Sequence, residues 1–173
     1  MKNEVLSCIE TRRSVRAYEG RQVEEEKLRA VLRAGTFAAS GMGRQAAQIV
    51  VVQDAETIGA LSRLNAEIWG TEGDPYYGAP TLLLVFADSE VRTFVEDGCC
   101  VLTTLMLAAH AVGLGTCWIN RERQMFEREE GRELMRRWGL SSSMKGIGAL
   151  SLGYPAEEPK APAPRKADYI KRV

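Results

Sequence analysis

The sequence predicts one α+β domain, with strands in mixed order around a single hydrophobic helix. Three observations carry that prediction. Segments of helical period alternate with short β-branched or apolar runs along the chain. The longest apolar stretch, Cys99–Val112, is interrupted by Thr103, Thr104 and His110. It is shorter than the ~20 residues that a bilayer span requires, so it reads as a core helix. The 173 residues are 45% hydrophobic and 27% charged, ordinary values for a globular domain that buries roughly 70% of its unfolded surface.

The elements follow in order. Asn3–Thr11 sets Val5, Leu6 and Ile9 on one helical face with Asn3 as N-cap. Glu24–Thr36 forms a second helix, with Leu28, Val31 and Leu32 inward and three glutamates at its positive amino end. Ile49–Val52 is a β-branched run that reads as a buried strand. Ala55–Ile68 returns to helical period, and the turn residues Gly73, Asp74, Pro75, Gly78 and Pro80 follow. Thr81–Phe86 is almost wholly apolar, the pattern of a central strand. Glu96–Val112 is the core helix and stops at Gly113. Thr116–Ile119 is a short strand, Met125–Trp138 a charged helix closed by Gly139, and Ile147–Leu152 the last strand. Residues 1–154 thus form the domain. Residues 155–173 are an arm of the same domain, either disordered or laid extended along a surface such as that of a second subunit, because Pro155, Pro159, Pro162 and Pro164 forbid a helix or central strand there.

Charge and composition exclude several functions. Lys+Arg and Asp+Glu both number 23, which gives no footprint for nucleic acid or for an acidic membrane. Cys8, Cys99, Cys100 and Cys117 form no C-x-x-C pair, and the single His110 completes no metal set with them. The amino terminus lacks the apolar stretch of a secretory signal, so the cysteines read as reduced residues of a cytoplasmic protein.

Three segments concentrate polar or small residues. Arg12, Arg13, Ser14 and Arg16 place three guanidiniums and a hydroxyl within five residues, a set that suits a phosphate. A solvated basic patch balanced by Glu10 and Glu19 explains the same cluster, and spacing alone favours it. Arg165 and Lys166 form a second basic pair. The loop Ala38–Gln45 has small residues that let backbone amides approach a flat ligand, and Gln45 offers a donor and an acceptor to a heterocycle's edge. A plain glycine-rich surface loop is the alternative. Gly113-Leu114-Gly115, before Thr116, Cys117 and Trp118, is either a ligand-facing turn or a helix stop. No P-loop is present.

Taken in order, these segments closely resemble the nitroreductase family of FMN enzymes. The resemblance rests on Arg12-Arg13-Ser14-Val15-Arg16, Ala38-Ala39-Ser40-Gly41-x-x-x-Gln45, Asp74-Pro75-Tyr76-Tyr77-Gly78-Ala79-Pro80-Thr81, Gly113-Leu114-Gly115-Thr116-Cys117-Trp118, Leu152-Gly153-Tyr154-Pro155 and Pro164-Arg165-Lys166. It spans nearly the whole chain and is nearest the short, single-domain members. It implies a three-layer sandwich with a mixed central sheet flanked by helices, forming an intertwined, domain-swapped homodimer with FMN in the subunit interface. It also implies that Arg12, Arg13, Ser14 and Arg16, joined by Arg165 and Lys166, hold the FMN phosphate. Ser40, Gly41 and Gln45 would touch the flavin from the partner subunit or along the ring edge. Thr116, Cys117 and Trp118 would lie near the ring, and Asn65 would face its pyrimidine edge.

The implied activity is NAD(P)H oxidation coupled to reduction of nitroaromatic, quinone or similar acceptors, by ping-pong hydride transfer through flavin N5. Such chemistry needs no catalytic side chain and no metal. Cys117 in an apolar strand reads as an inert thiol, and His110 as a satisfied core histidine. The chain departs from the family pattern at Ala39, Gly43, Ala46 and Ala47, where a proline, an asparagine and a Pro-Trp pair are usual. Ile68 stands where larger members carry a lysine, so the sequence does not name the cation that would offset charge on the reduced ring. The altered loop keeps two rivals open: a flavin-binding or flavin-sensing protein without efficient turnover, and an enzyme that uses reduced flavin with oxygen or a halogenated aromatic.

Overall fold

The computed structural model describes residues 3–173. The elements are α1 (Glu4–Thr11), α2 (Glu25–Gly35), a 3-10 turn (Gly41–Gly43), β1 (Ala47–Val52), α3 (Ala55–Trp69), β2 (Thr81–Asp88), α4 (Phe94–Ala111), β3 (Gly115–Ile119), α5 (Glu122–Glu127), α6 (Glu129–Arg137) and β4 (Met144–Gly153). The strands form one sheet in the order β1-β2-β4-β3.

β2 is the centre of the core. Its apolar residues alternate faces, and both faces are covered. Leu82, Leu84 and Phe86 pack with Leu61 of α3, Met125 and Phe126 of α5 and Met135 of α6. Leu83 and Val85 pack on the other side with Leu28 and Val31 of α2 and Leu102 and Leu105 of α4. The result is the expected α+β three-layer sandwich. α4 is 18 residues long and apolar enough by composition to cross a membrane; its Gly98, Val101, Leu102, Leu105 and Ala109 are buried in this core.

Several expectations are corrected in detail. The sheet is antiparallel in all three ladders rather than mixed. Among the described residues, the parallel pairing is an isolated bridge between Ser14 and Thr116. β1 is an edge strand, only half-buried except at Val52, because it pairs with β2 alone. The predicted Met125–Trp138 helix is two helices, broken at Arg128 (φ −81°, ψ 160°) and beginning earlier, at Glu122. The break lets the two helices pack closely: a Cβ on Gly131 would lie 2.1 Å from the Met125 carbonyl oxygen. The helical period misleads across it because Met125, Phe126 and Met135 all face the same core. Asn3 does cap α1, its Oδ1 accepting from Val5 N at 2.9 Å. The apolar face of that helix is uncovered, however, with Val5, Leu6 and Ile9 exposed by 66%, 45% and 51%.

Candidate functional site

The basic motif lies along the outer edge of β3. Arg12 ends α1 in extended conformation, and Val15 N then donates to Thr116 O at 2.9 Å. Val15 is buried against Gly115, where a Cβ would come within 2.6 Å of Val15 Cγ2. Period-2 alternation then turns Ser14 and Arg16 away from Val15, toward solvent. Arg12 Nη1 is buried and has no hydrogen-bond partner. Arg13 Nη1 donates to Glu10 O and to Arg12 O, each at 2.7 Å. Arg16 sits over the Tyr77 ring at 5.9 Å.

Burial raises the Cys117 thiol above its ordinary pKa, an effect partly offset by Arg16, the Ser14 hydroxyl and Arg12. It is an inert thiol at neutral pH, as expected. A cavity of about 420 Å³ opens beside the motif, lined by Arg12, Arg13, His110 and Thr116 and crossed by Pro159 and Pro162 of the arm. His110 is half-buried at this cavity and hydrogen-bonds Thr11 Oγ1 at 2.8 Å. Burial, with Arg12 and Arg13 adding to it, holds the imidazole below its ordinary pKa.

The far end of β3 carries a second polar cluster. Thr116 O accepts from the motif, so strand alternation also turns the backbone N–H and C=O of Trp118 to the outer edge. Beyond Ile119, Arg121 stands at φ 87° with its Nε donating to Asn65 Oδ1 at 2.8 Å. Asn65 is fully buried and its Nδ2 donates to Asn120 O at 3.0 Å. The Tyr76 hydroxyl donates to Glu122 Oε1 at 3.4 Å. Burial pushes the Glu122 carboxyl up to about 8. From Thr116 to Ile119 the strand covers about 10 Å.

The Ser40 loop is elsewhere. It precedes β1, on the edge of the sheet opposite β3, about 14 Å away at ordinary strand spacing. Ser40 Oγ accepts from Gln45 N at 2.7 Å, and Gly41 N donates to Asp97 Oδ1 at 2.9 Å. Asp97 Oδ2 is buried without a partner. A cavity of about 590 Å³ lies here, lined by Ser40, Gln45, Asp97, Ile49, Val51 and Val101.

One chain therefore brings together Arg12, Arg13, Ser14, Arg16, Thr116, Cys117 and Trp118. Asn65 lies at the distal end of the same strand, engaged with Arg121. Ser40, Gly41 and Gln45 are on the opposite edge. Arg165 and Lys166 lie on the exposed arm. The positive-φ residues other than glycine are Met42, Gln45, Tyr77 and Arg121, all in or beside the segments singled out from sequence. Strained backbone of this kind concentrates at ligand sites. Arg121, Glu122 and Asp97 were not readable as site residues: each is one charge among many, and only tertiary contacts distinguish them.

Comparison with known proteins identifies the family. The Nitroreductase family matches residues 9–154. A Bacteroides fragilis nitroreductase structure with bound FMN superposes with a TM-score of 0.91 at 30% identity, covering 99% of this chain and all of the other. A Desulfitobacterium hafniense nitroreductase with bound FMN gives 0.89 at 26% identity, with full coverage of both chains. The FMN reductase [NAD(P)H] of Bacillus subtilis is 27% identical over 178 residues, covering 90% of this chain and 67% of its own. With the motifs in order, the three layers in place and a match over most of its length, the chain belongs to the nitroreductase family.

Proposed function

We propose that this protein is an FMN-dependent NAD(P)H oxidoreductase of nitroreductase type, acting in the cytoplasm as a homodimer. The observation that carries the reading is Arg12 Nη1, a buried donor without an acceptor, beside Ser14 on the rim of β3. A phosphate supplies the missing acceptor oxygens, and a charged hydrogen bond of this kind contributes about 1.5–3 kcal/mol. The residues present fit FMN.

Arg12, Arg13, Arg16 and Ser14 would hold the phosphate. Arg165 and Lys166 would join them from the arm, whose earlier residues line the same cavity. Gly115 has no side chain to displace Val15, which keeps the motif against the strand. The outward backbone groups of Trp118, with Thr116 and Cys117 beside them, would support the ring along β3. Asn65 would stand at its pyrimidine edge at the far end of β3, its Oδ1 accepting from Arg121 Nε.

Ser40, Gly41 and Gln45 lie at the edge of the sheet opposite the motif, with β2 and β4 between them. They would complete the site from a second copy, and the uncovered face of α1 offers apolar surface for such a partner. FMN, when bound, supplies hydride transfer between NAD(P)H and the acceptor. No side-chain acid or base is required; the chain binds, orients and limits water. Donor and acceptor (a nitroaromatic, quinone or similar compound) would use the same open face in turn.

Anaerobic mixing of the FMN-loaded protein with NADH and with NADPH tests this. The oxidised-flavin absorbance should fall with at least one donor, and the addition of a nitroaromatic or quinone should restore it. Absorbance that persists with both donors would contradict a reductase and leave a flavin-binding protein.

A further inference from the structure

The Arg121 guanidinium is held in place but not neutralised. Its Nε donates to Asn65 Oδ1 at 2.8 Å, and Asn65 is itself fixed by Asn120 O at 3.0 Å. The guanidinium plane lies over the Trp69 ring at 4.5 Å, and Trp69 is 53% exposed. Among the described residues, the Nη groups of Arg121 make no hydrogen bond or ion pair with the protein. The nearest acidic side chains do not cancel its charge. Glu67 on α3 is paired with Arg128 at 2.7 Å. Glu122 is buried toward Tyr76 and carries its proton at neutral pH.

Arg121 also adopts φ 87°, which L side chains rarely do, so the fold retains a side chain where glycine would relax the backbone. A half-exposed indole with a fixed guanidinium stacked over it, two donor groups still free, suits a flat ring bearing a carboxylate, because the fork binds planar oxyanions while the exposed part of the indole packs on the ring. The pair stands at the end of β3 remote from the phosphate motif, where ring chemistry would take place.

We propose that Arg121 and Trp69 form a subsite for the acceptor, selecting planar aromatic compounds that carry an anionic group. This rests on the reductase reading above and names the substrate class for it. Arg121 sets the preference for charge, and Trp69 supplies stacking surface to charged and neutral rings alike.

Titration calorimetry with benzoate and with its neutral analogue benzamide tests the subsite on wild-type, Arg121→Gly and Trp69→Leu proteins, with flavin content read by absorbance. Glycine suits the backbone at position 121, so the first variant is expected to fold. Wild type should bind benzoate at least about tenfold more tightly than benzamide. Arg121→Gly should lose that preference while benzamide affinity stays within about twofold. Trp69→Leu should weaken both ligands equally. Equal binding of the two ligands by wild type, or a preference that survives in Arg121→Gly, overturns the proposal. The titrations are repeated on flavin-free protein. A chain that never loads flavin would contradict the reductase reading, yet the benzoate preference and its dependence on Arg121 would still decide the subsite.

Discussion

Arg12 and Glu122 are both buried polar groups left partly unsatisfied, with opposite consequences. Arg12 has a guanidinium with a partnerless Nη1, which calls for an anion from outside the chain. Glu122 escapes the cost of burial by holding its proton, and this links it to stability. In the folded protein it stays protonated to about pH 8, whereas its ordinary value is 4.5. Its stabilising contribution is therefore complete below 4.5 and is lost as the pH rises to about 8. In urea titrations, the wild-type midpoint should fall from pH 5 to pH 8, and Glu122→Gln should flatten that dependence. A variant with the same pH slope as wild type would show that Glu122 is charged in the fold. The four members of the basic motif were legible because they fall within five residues, and a single stretch of extended chain delivers them to one place. The Arg121–Asn65 bond spans 56 positions and leaves no local trace.

At the scale of elements, the pairing of residues 14–16 with β3 decides whether the motif is shaped for a ligand. Gly115 makes that pairing possible, since a Cβ there would stand 2.6 Å from Val15 Cγ2. Gly115→Ala should cost about 1–3 kcal/mol of stability in urea unfolding and weaken FMN binding as the motif is pushed outward. Unchanged stability and affinity would show that the motif is held by other contacts. β2 and α4 were easily read, because their apolar patterns extend over several turns or alternations. The α5–α6 break was hidden, because both helices bury residues on one side and Gly131 gave no sign of its close contact. The burial of β1 was overestimated because strand composition does not reveal whether one neighbour or two will pair with it.

At the scale of the whole molecule, the two halves of the proposed site occupy opposite edges of one sheet. The motif and β3 meet within one chain, whereas in the proposed site the Ser40 loop would come from a second copy. The arm from Pro155 is exposed along nearly its whole length, and in the proposed dimer it would lie on the partner. Truncation after Pro155 should therefore weaken self-association in sedimentation experiments; an equally stable dimer would assign the interface to α1 and the sheet edge instead. Sequence order revealed the family, but not which segments share one chain's site, because that depends on strand order.

Titration with FMN, followed through quenching of its fluorescence, is the most direct test of the phosphate grip at Arg12 and Ser14. Wild-type protein should saturate at one FMN per chain, and an Arg12→Ala, Ser14→Ala double variant that retains its fold should bind about 100-fold more weakly. Wild-type protein that leaves FMN fluorescence unquenched, or a folded double variant with undiminished affinity, would contradict it.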